Sequence, residues 1–199
     1  MNRGQLGADL VKEVQLTVLP NLTDPRDPSA PDPSENENEG TGEHGELRLD
    51  YVPSRFDLGS KEIQWKDMEY QAIGTSDQWI QIADERPAAT VWTLKAAATP
   101  FDSGTDQLTG ASLIIPKGDM YNKKTAGAAN SSGLVSKGDV PLTITASALF
   151  TGDGVNSKNE STYVWKKNQV KLKVPKGQGK VGQTYRSTIT WTVEAGATN

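Results

Sequence analysis

Apolar side chains in this chain recur at every second position, and no stretch sustains helical spacing together with capping signals. VKEVQLTVLP sets Val14, Leu16 and Val18 against Glu13, Gln15 and Thr17, and ELRLDYV sets Leu47, Leu49 and Tyr51 on one side. The same alternation returns in KEIQW, MEYQAI, WIQIAD, TVWTLKA, LTGASLII, PLTITASALF, STYVWKKNQVKLKV and TYRSTITWTV, each bounded by turn-forming residues. A period of two sends successive side chains to opposite faces of a sheet. The expected fold is therefore all-β, an antiparallel sandwich or barrel-like arrangement of about ten strands. AGAAN, near residue 126, is long enough for a helical turn only.

One segment breaks the pattern. Residues 23–46 carry Pro25, Pro28, Pro31 and Pro33 with eight acids against Arg26 alone. Proline removes backbone donors, and the acids and glycines bury nothing, so a mobile acidic loop is expected there. Residues 8–195, with this loop included, are expected to form one domain around a common core.

Composition closes several chemical routes. The sequence has no cysteine, which removes disulfides, thiolate nucleophiles and Cys-ligated zinc. His44 is the single histidine and lies in the acidic loop, so Ser-His-Asp and multi-histidine metal sites have no members. GQGKVG, Gly177 to Gly182, has the letters of a dinucleotide loop but precedes a strand pattern where a helix N-terminus is required. It reads as a hairpin turn. Asp153, Asn156 and Glu160 supply oxygens in GDGVNSKNE, but their spacing departs from the calcium loop of an EF-hand, and a polar turn is expected. Acids are numerous enough for glycoside hydrolysis, yet nothing singles out a pair. No cofactor or metal is expected.

No apolar run approaches the roughly 20 residues of a membrane span, and residues 1–10 lack a signal-peptide pattern. Membrane insertion is not expected, and any export signal is expected to have been removed upstream. Outside the acidic loop, 20 basic residues balance 17 acids. Residues 158–186 carry seven net positive charges in 29 positions, through Lys158, Lys166, Lys167, Lys171, Lys173, Lys176, Lys180 and Arg186 against Glu160. On strands, such lysines guard edges against aggregation, and they also attract polyanions. No nucleic-acid motif accompanies them.

Two strands carry the same pairing of tryptophan with a branched aliphatic two residues later: TVWTLKA (90–96) and TITWTV (188–193). Around them, in order, stand DPRDPSAPDP, GELRLDYVPSRFDLGSKEI with a Phe56-to-Gly59 turn, QIADERPAATVWTLKA, PFDSGTDQLTGASLIIP and VKLKVPKGQGKVGQTYRSTITWTV. This series resembles the WxL domain of surface proteins from low-GC Gram-positive bacteria over nearly the whole chain. The motif corresponds to Trp92-Thr93-Leu94, preceded by Asp84 and Arg86, with the distal Tyr185-x-x-x-Ile189-Thr190-Trp191-Thr192-Val193. Val193 stands where leucine is usual, Pro87-Ala88-Ala89 replaces a glycine-rich turn, and the trailing proline is absent.

The resemblance implies an exported, noncovalently retained cell-surface protein whose domain binds peptidoglycan, with a membrane-anchored WxL-interacting protein as a further partner and no reaction. A docking module of a surface complex, with indirect wall contact, is the alternative. Alternation puts Trp92, Leu94 and Ala96 on one strand face, and Ile189, Trp191 and Val193 on one face of another. The indoles either fill the core or line a sugar-stacking surface, for which Trp65, Trp79 and Trp165 compete. We take the core reading, with Trp92 and Trp191 close together on neighbouring strands or facing sheets and wall recognition elsewhere. Lys166, Lys167, Lys171, Lys173 and Lys176 are the candidate wall contacts, to a peptidoglycan or wall glycopolymer. Asp84 and Arg86 read as an ion pair or turn bond.

Overall fold

A computed structural model describes residues 38–123 and 129–196. Its strands are β1 (Asn38–Gly40), β2 (Leu47–Pro53), β3 (Met68–Gln71), β4 (Asp77–Asp84), β5 (Trp92–Ala98), β6 (Ser112–Ile115), β7 (Asp119–Asn122), β8 (Leu134–Ser136), β9 (Val140–Pro141), β10 (Ser147–Gly152), β11 (Asn159–Lys166), β12 (Lys171–Val174) and β13 (Ile189–Ala195). A 3-10 turn, Lys167–Gln169, joins β11 to β12. Every pairing is antiparallel, in three sheets ordered β1-β2-β4-β11-β7, β13-β5-β10-β8 and β3-β12-β6-β9. The architecture is an open all-β packing and not a closed barrel. It has more strands than the alternation predicts, because pieces as short as β8 and β9 carry too few residues for a period to register.

The three sheets share one core. β4 and β11 lie at the centre of the five-stranded sheet and pair over eight positions, from Asn159 opposite Asp84 to Lys166 opposite Asp77. Ile80, Ile82, Tyr163 and Trp165 point into that core, with Trp92, Leu94, Leu149 and Phe150 from the β5 sheet and Leu113, Ile115 and Leu172 from the β6 and β12 sheet. By alternation the next residues face the other way, and Trp79, Tyr121 and Val164 form a second cluster there with half-buried Tyr51. Burial on both faces explains why WIQIAD and TYVW read as nearly continuous buried runs.

Aromatic rings bridge two sheets in a continuous line. Trp92 meets Phe150 edge-on at 5.2 Å, Phe150 stacks on Tyr163 at 5.2 Å with planes 9° apart, and Tyr163 meets Trp165 at 5.2 Å. Such pairs add about 0.5–1.5 kcal/mol each beyond area burial. Phe150 reaches its place through a register shift between Ala148 and Phe150, which inserts Leu149 into β10 as an extra residue. Without that bulge Phe150 would not lie opposite Leu94, nor Gly152 opposite Trp92.

Two expectations need correction. KEIQW is not a strand: residues 61–65 run without regular structure ahead of β3. Their recorded backbone bond joins Gly177 N–H to the Gln64 carbonyl at 3.0 Å, so no ladder forms. The acidic stretch over 23–46 falls largely outside the described residues, but its end is ordered. Asn38–Gly40 pair with Tyr51–Pro53 as β1, and Thr41 N–H donates to the Asp50 carbonyl at 3.0 Å. Polar side chains replace apolar contacts there: the backbone N–H of Trp79 donates to Asn38 Oδ1 at 3.4 Å, and that of Leu49 to Glu43 Oε2 at 2.9 Å. VKEVQLTVLP and the start of AGAAN also lie outside the described residues.

Candidate functional site

β5 and β13 are hydrogen-bonded neighbours, and their register makes one unit of the two motifs. Trp92 stands opposite Ala195, Leu94 opposite Val193 and Ala96 opposite Trp191. Directly opposed residues in an antiparallel pair share a face, so both tryptophans point to the same side. The segments W-T-L-K-A and W-T-V-E-A thus read as one pattern folded back on itself, each large residue over a small one. The tryptophans are on neighbouring strands but do not form one shared site: four register steps separate them, roughly 13 Å at strand rise.

Both indoles are inside the protein. Trp92 is 0% and Trp191 6% exposed, and Leu94 is fully buried. Trp92 lies against the backbone of Gly152, where an added Cβ would come within 2.3 Å of Cε2, so only glycine fits opposite it. Trp92 Nε1 is buried without an acceptor. Val193 is half-buried at the sheet edge. Across the opposite face of the same strands, Lys95 Nζ meets Glu194 Oε2 at 2.6 Å.

The approach to β5 is held by a buried acid. Asp84, at the end of β4, is 0% exposed, and its two carboxylate oxygens accept Arg86 Nε at 2.8 Å and Nη2 at 3.0 Å. The Arg86 guanidinium also donates to Thr90 Oγ1 at 2.7 Å and to the Thr90 carbonyl at 2.6 Å. Lys158 Nζ lies 3.6 Å from Asp84 Oδ1 and donates to the carbonyls of Arg86 and Ala88. One carboxylate and two cations therefore fix the 85–91 connection, so that Trp92 enters its strand in register. This ties down the backbone carbonyls of the connection and leaves no open coordination face on Asp84.

Tyr185 does the same for β13. Its hydroxyl donates to Asp106 Oδ2 at 2.6 Å and accepts Lys180 N–H at 2.8 Å, while Lys180 Nζ reaches Asp106 Oδ1 at 2.9 Å. The Tyr185 hydrogen bond, then that of Lys180, holds the Asp106 carboxyl below the usual carboxylate range. Burial and the Asp106 bond raise Tyr185, and the Asp106 bond raises Lys180. The glycine-rich turn is thereby tied to the 103–107 loop, and the chain runs on to β13 without a helix, as a phosphate-binding loop would need.

The Asp153 turn is likewise self-contained. Burial opposes ionisation there, but the N–H groups of Val155 and Asn156 and the Asn156 amide donate to its oxygens at 2.7–2.9 Å and keep its pKa below the usual range. Among the described residues no cluster of three metal-ligating side chains occurs.

The basic strip divides. Lys166 pairs with Asp77 at 2.8 Å and Lys171 with Glu69 at 2.7 Å. Lys167 is buried, its stem packed beside Gly74, and is withdrawn from the surface that the charge count placed it on. Lys173 and Lys176 are exposed and make no ion pair among the described residues. Next to Gly177 stands Trp65, 87% exposed, whereas Trp79, Trp92, Trp165 and Trp191 are buried. In the sequence Ile63 and Trp65 share one alternating face, so nothing local marks this indole as exposed.

The fold and these contacts define an all-β domain organised by a paired tryptophan motif, with one exposed indole outside its sheets. A family model described as "WxL domain surface cell wall-binding" matches residues 8–196, and the chain belongs to that family. It is a cell-surface protein associated with the cell wall. No curated protein and no solved structure matches it. No helix among the described residues is long and apolar enough to cross a membrane.

Proposed function

We propose that this chain is a noncatalytic domain that attaches to the wall noncovalently by binding peptidoglycan itself. The observation that carries the reading is the family match over residues 8–196 combined with the burial of Trp92, Leu94 and Trp191. The motif that names the family acts as internal structure, and recognition falls to the outer surface. The acids point the same way. Asp106 and Asp153 are each engaged by donors that stabilise the carboxylate, an environment opposite to that of a general acid held protonated near neutral pH. A membrane-anchored WxL-interacting protein is a second partner in this reading.

Co-sedimentation with purified, protein-free sacculi tests it. Saturable binding to sacculi from which anionic polymers have been extracted is the expected result, with no release of reducing ends on long incubation. Binding only in the presence of a second surface protein would instead make the domain a docking module.

A further inference from the structure

Trp65 sits where two irregular segments run together past the end of a sheet. β3 and β12 pair as far as Met68 opposite Val174. Beyond that point Lys176 N–H donates to Asp67 Oδ1 at 2.9 Å, and Gly177 N–H to the Gln64 carbonyl at 3.0 Å. Gly177 has φ +72°, and a Cβ built there would lie 4.0 Å from Trp65 Cζ3. The indole is thus held beside a bare backbone by bonds on either side of it, with its surface left open.

The charges around it are arranged unevenly. Further along the same strip Lys166, Lys171 and Lys180 are matched to Asp77, Glu69 and Asp106. Lys66, Lys173 and Lys176 are exposed and have no carboxylate partner among the described residues. An open indole with exposed Lys66 next to it in sequence and exposed Lys176 on the facing segment suits a ligand that has a flat C–H face and an anionic group on a neighbouring unit. A protein hot spot sits in a well-packed, desolvated pocket, whereas Trp65 is 87% exposed and flanked by Gln64, Lys66 and Asp67.

We propose that Trp65 is the contact on which a pyranose ring of the peptidoglycan glycan strand stacks, with Lys66, Lys173 and Lys176 receiving the free carboxylates of the stem peptides attached to it. This rests on the peptidoglycan reading above and names the site for it. The test compares wild type, Trp65→Ala, Trp65→Tyr and the double variant Lys173→Glu/Lys176→Glu on sacculi stripped of anionic polymers. Circular dichroism and melting temperature serve as the check on folding. Trp65→Ala should lower affinity more than about tenfold with an unchanged melting temperature, as loss of an interface tryptophan does. Trp65→Tyr should stay within a fewfold of wild type, because a smaller aromatic still stacks. The lysine reversal should weaken binding and flatten its salt dependence. Soluble muropeptides should also shield Trp65, the exposed indole, from acrylamide quenching. Wild-type affinity in Trp65→Ala would overturn the platform alone. A wild type that ignores stripped sacculi and binds only unstripped ones would overturn the peptidoglycan reading and the platform with it.

Discussion

Leu94 on β5 stands directly opposite Val193 on β13, and the two motif tryptophans lie at equal register distance on either side, Trp92 over Ala195 and Trp191 over Ala96. The family motif and its distal partner are therefore two halves of one antiparallel contact. Each half carries the large residue that the other lacks, which fixes the register as firmly as the hydrogen bonds do.

Trp92 is the more deeply set half. Trp92→Ala should cost about 3–5 kcal/mol in urea unfolding, as the loss of a buried tryptophan does. Gly152→Ala should also destabilise, because its methyl group would meet the indole. The double variant should cost less than the two single changes together, since the new methyl enters space the indole vacates. Strict additivity would mean that the two residues do not touch.

The Lys95–Glu194 pair crosses the same strands on the half-exposed face, and its 2.6 Å separation looks strong. Geometry in water is a poor guide to energy here, because solvent screens the charges and ordering two long side chains opposes the gain. A double-mutant cycle with Lys95→Ala and Glu194→Ala should return about 0.2–1 kcal/mol of coupling. A coupling several times larger would show that this pair, and not the large-over-small packing, sets the register.

Asp84 is the contrasting case, since its carboxylate is 0% exposed between Arg86 and Lys158. Asp84→Ala strands a partly buried guanidinium and should cost about 3–5 kcal/mol. The loss should appear first as faster amide exchange across 85–91, the segment Arg86 ties through Thr90. An Asp84→Ala protein with wild-type stability and exchange would remove the clasp from the account.

Alternation made the strands legible, and it also placed Trp92, Leu94 and Ala96 on one face, the face the structure buries. What it could not carry is anything that breaks the period. The bulge at Leu149 shifts β10 by one residue, and only that shift puts Gly152 under Trp92. KEIQW alternates as well as any strand, but its partner segment, Pro175–Gln178, is bent by glycine at positive φ, so the ladder stops and Trp65 is left outside. Lys167 counts as surface charge in a sequence, yet the 3-10 turn folds its stem over Gly74. In each case the deciding partner is distant along the chain or is a backbone conformation, and neither leaves a local pattern.

The Asp106, Tyr185 and Lys180 cluster gives a pH signature with a defined sign. The Asp106 carboxyl is held below its ordinary value by the Tyr185 hydroxyl and then by Lys180. A group whose folded pKa is depressed contributes stability above its unfolded pKa, about 3.9, and that contribution disappears as pH falls through the folded value. Tyr185 is raised, by burial and then by its bond to Asp106, and Lys180 is raised by its bond to Asp106. A raised group is different at the other end of the scale: Lys180 charged and Tyr185 neutral stabilise the fold below their unfolded values, about 10, and the contribution is lost as pH rises through the folded ones. The melting temperature of wild type should therefore exceed that of Asp106→Asn by a constant margin from about pH 5 to 9, and the margin should narrow toward both extremes. Tyr185→Phe removes the proton that titrates, so its alkaline limb should flatten relative to wild type while β13 keeps its pairing with β5. Melting curves across pH 3 to 11 for the three proteins measure this, and a margin independent of pH would mean that the cluster is not a coupled unit.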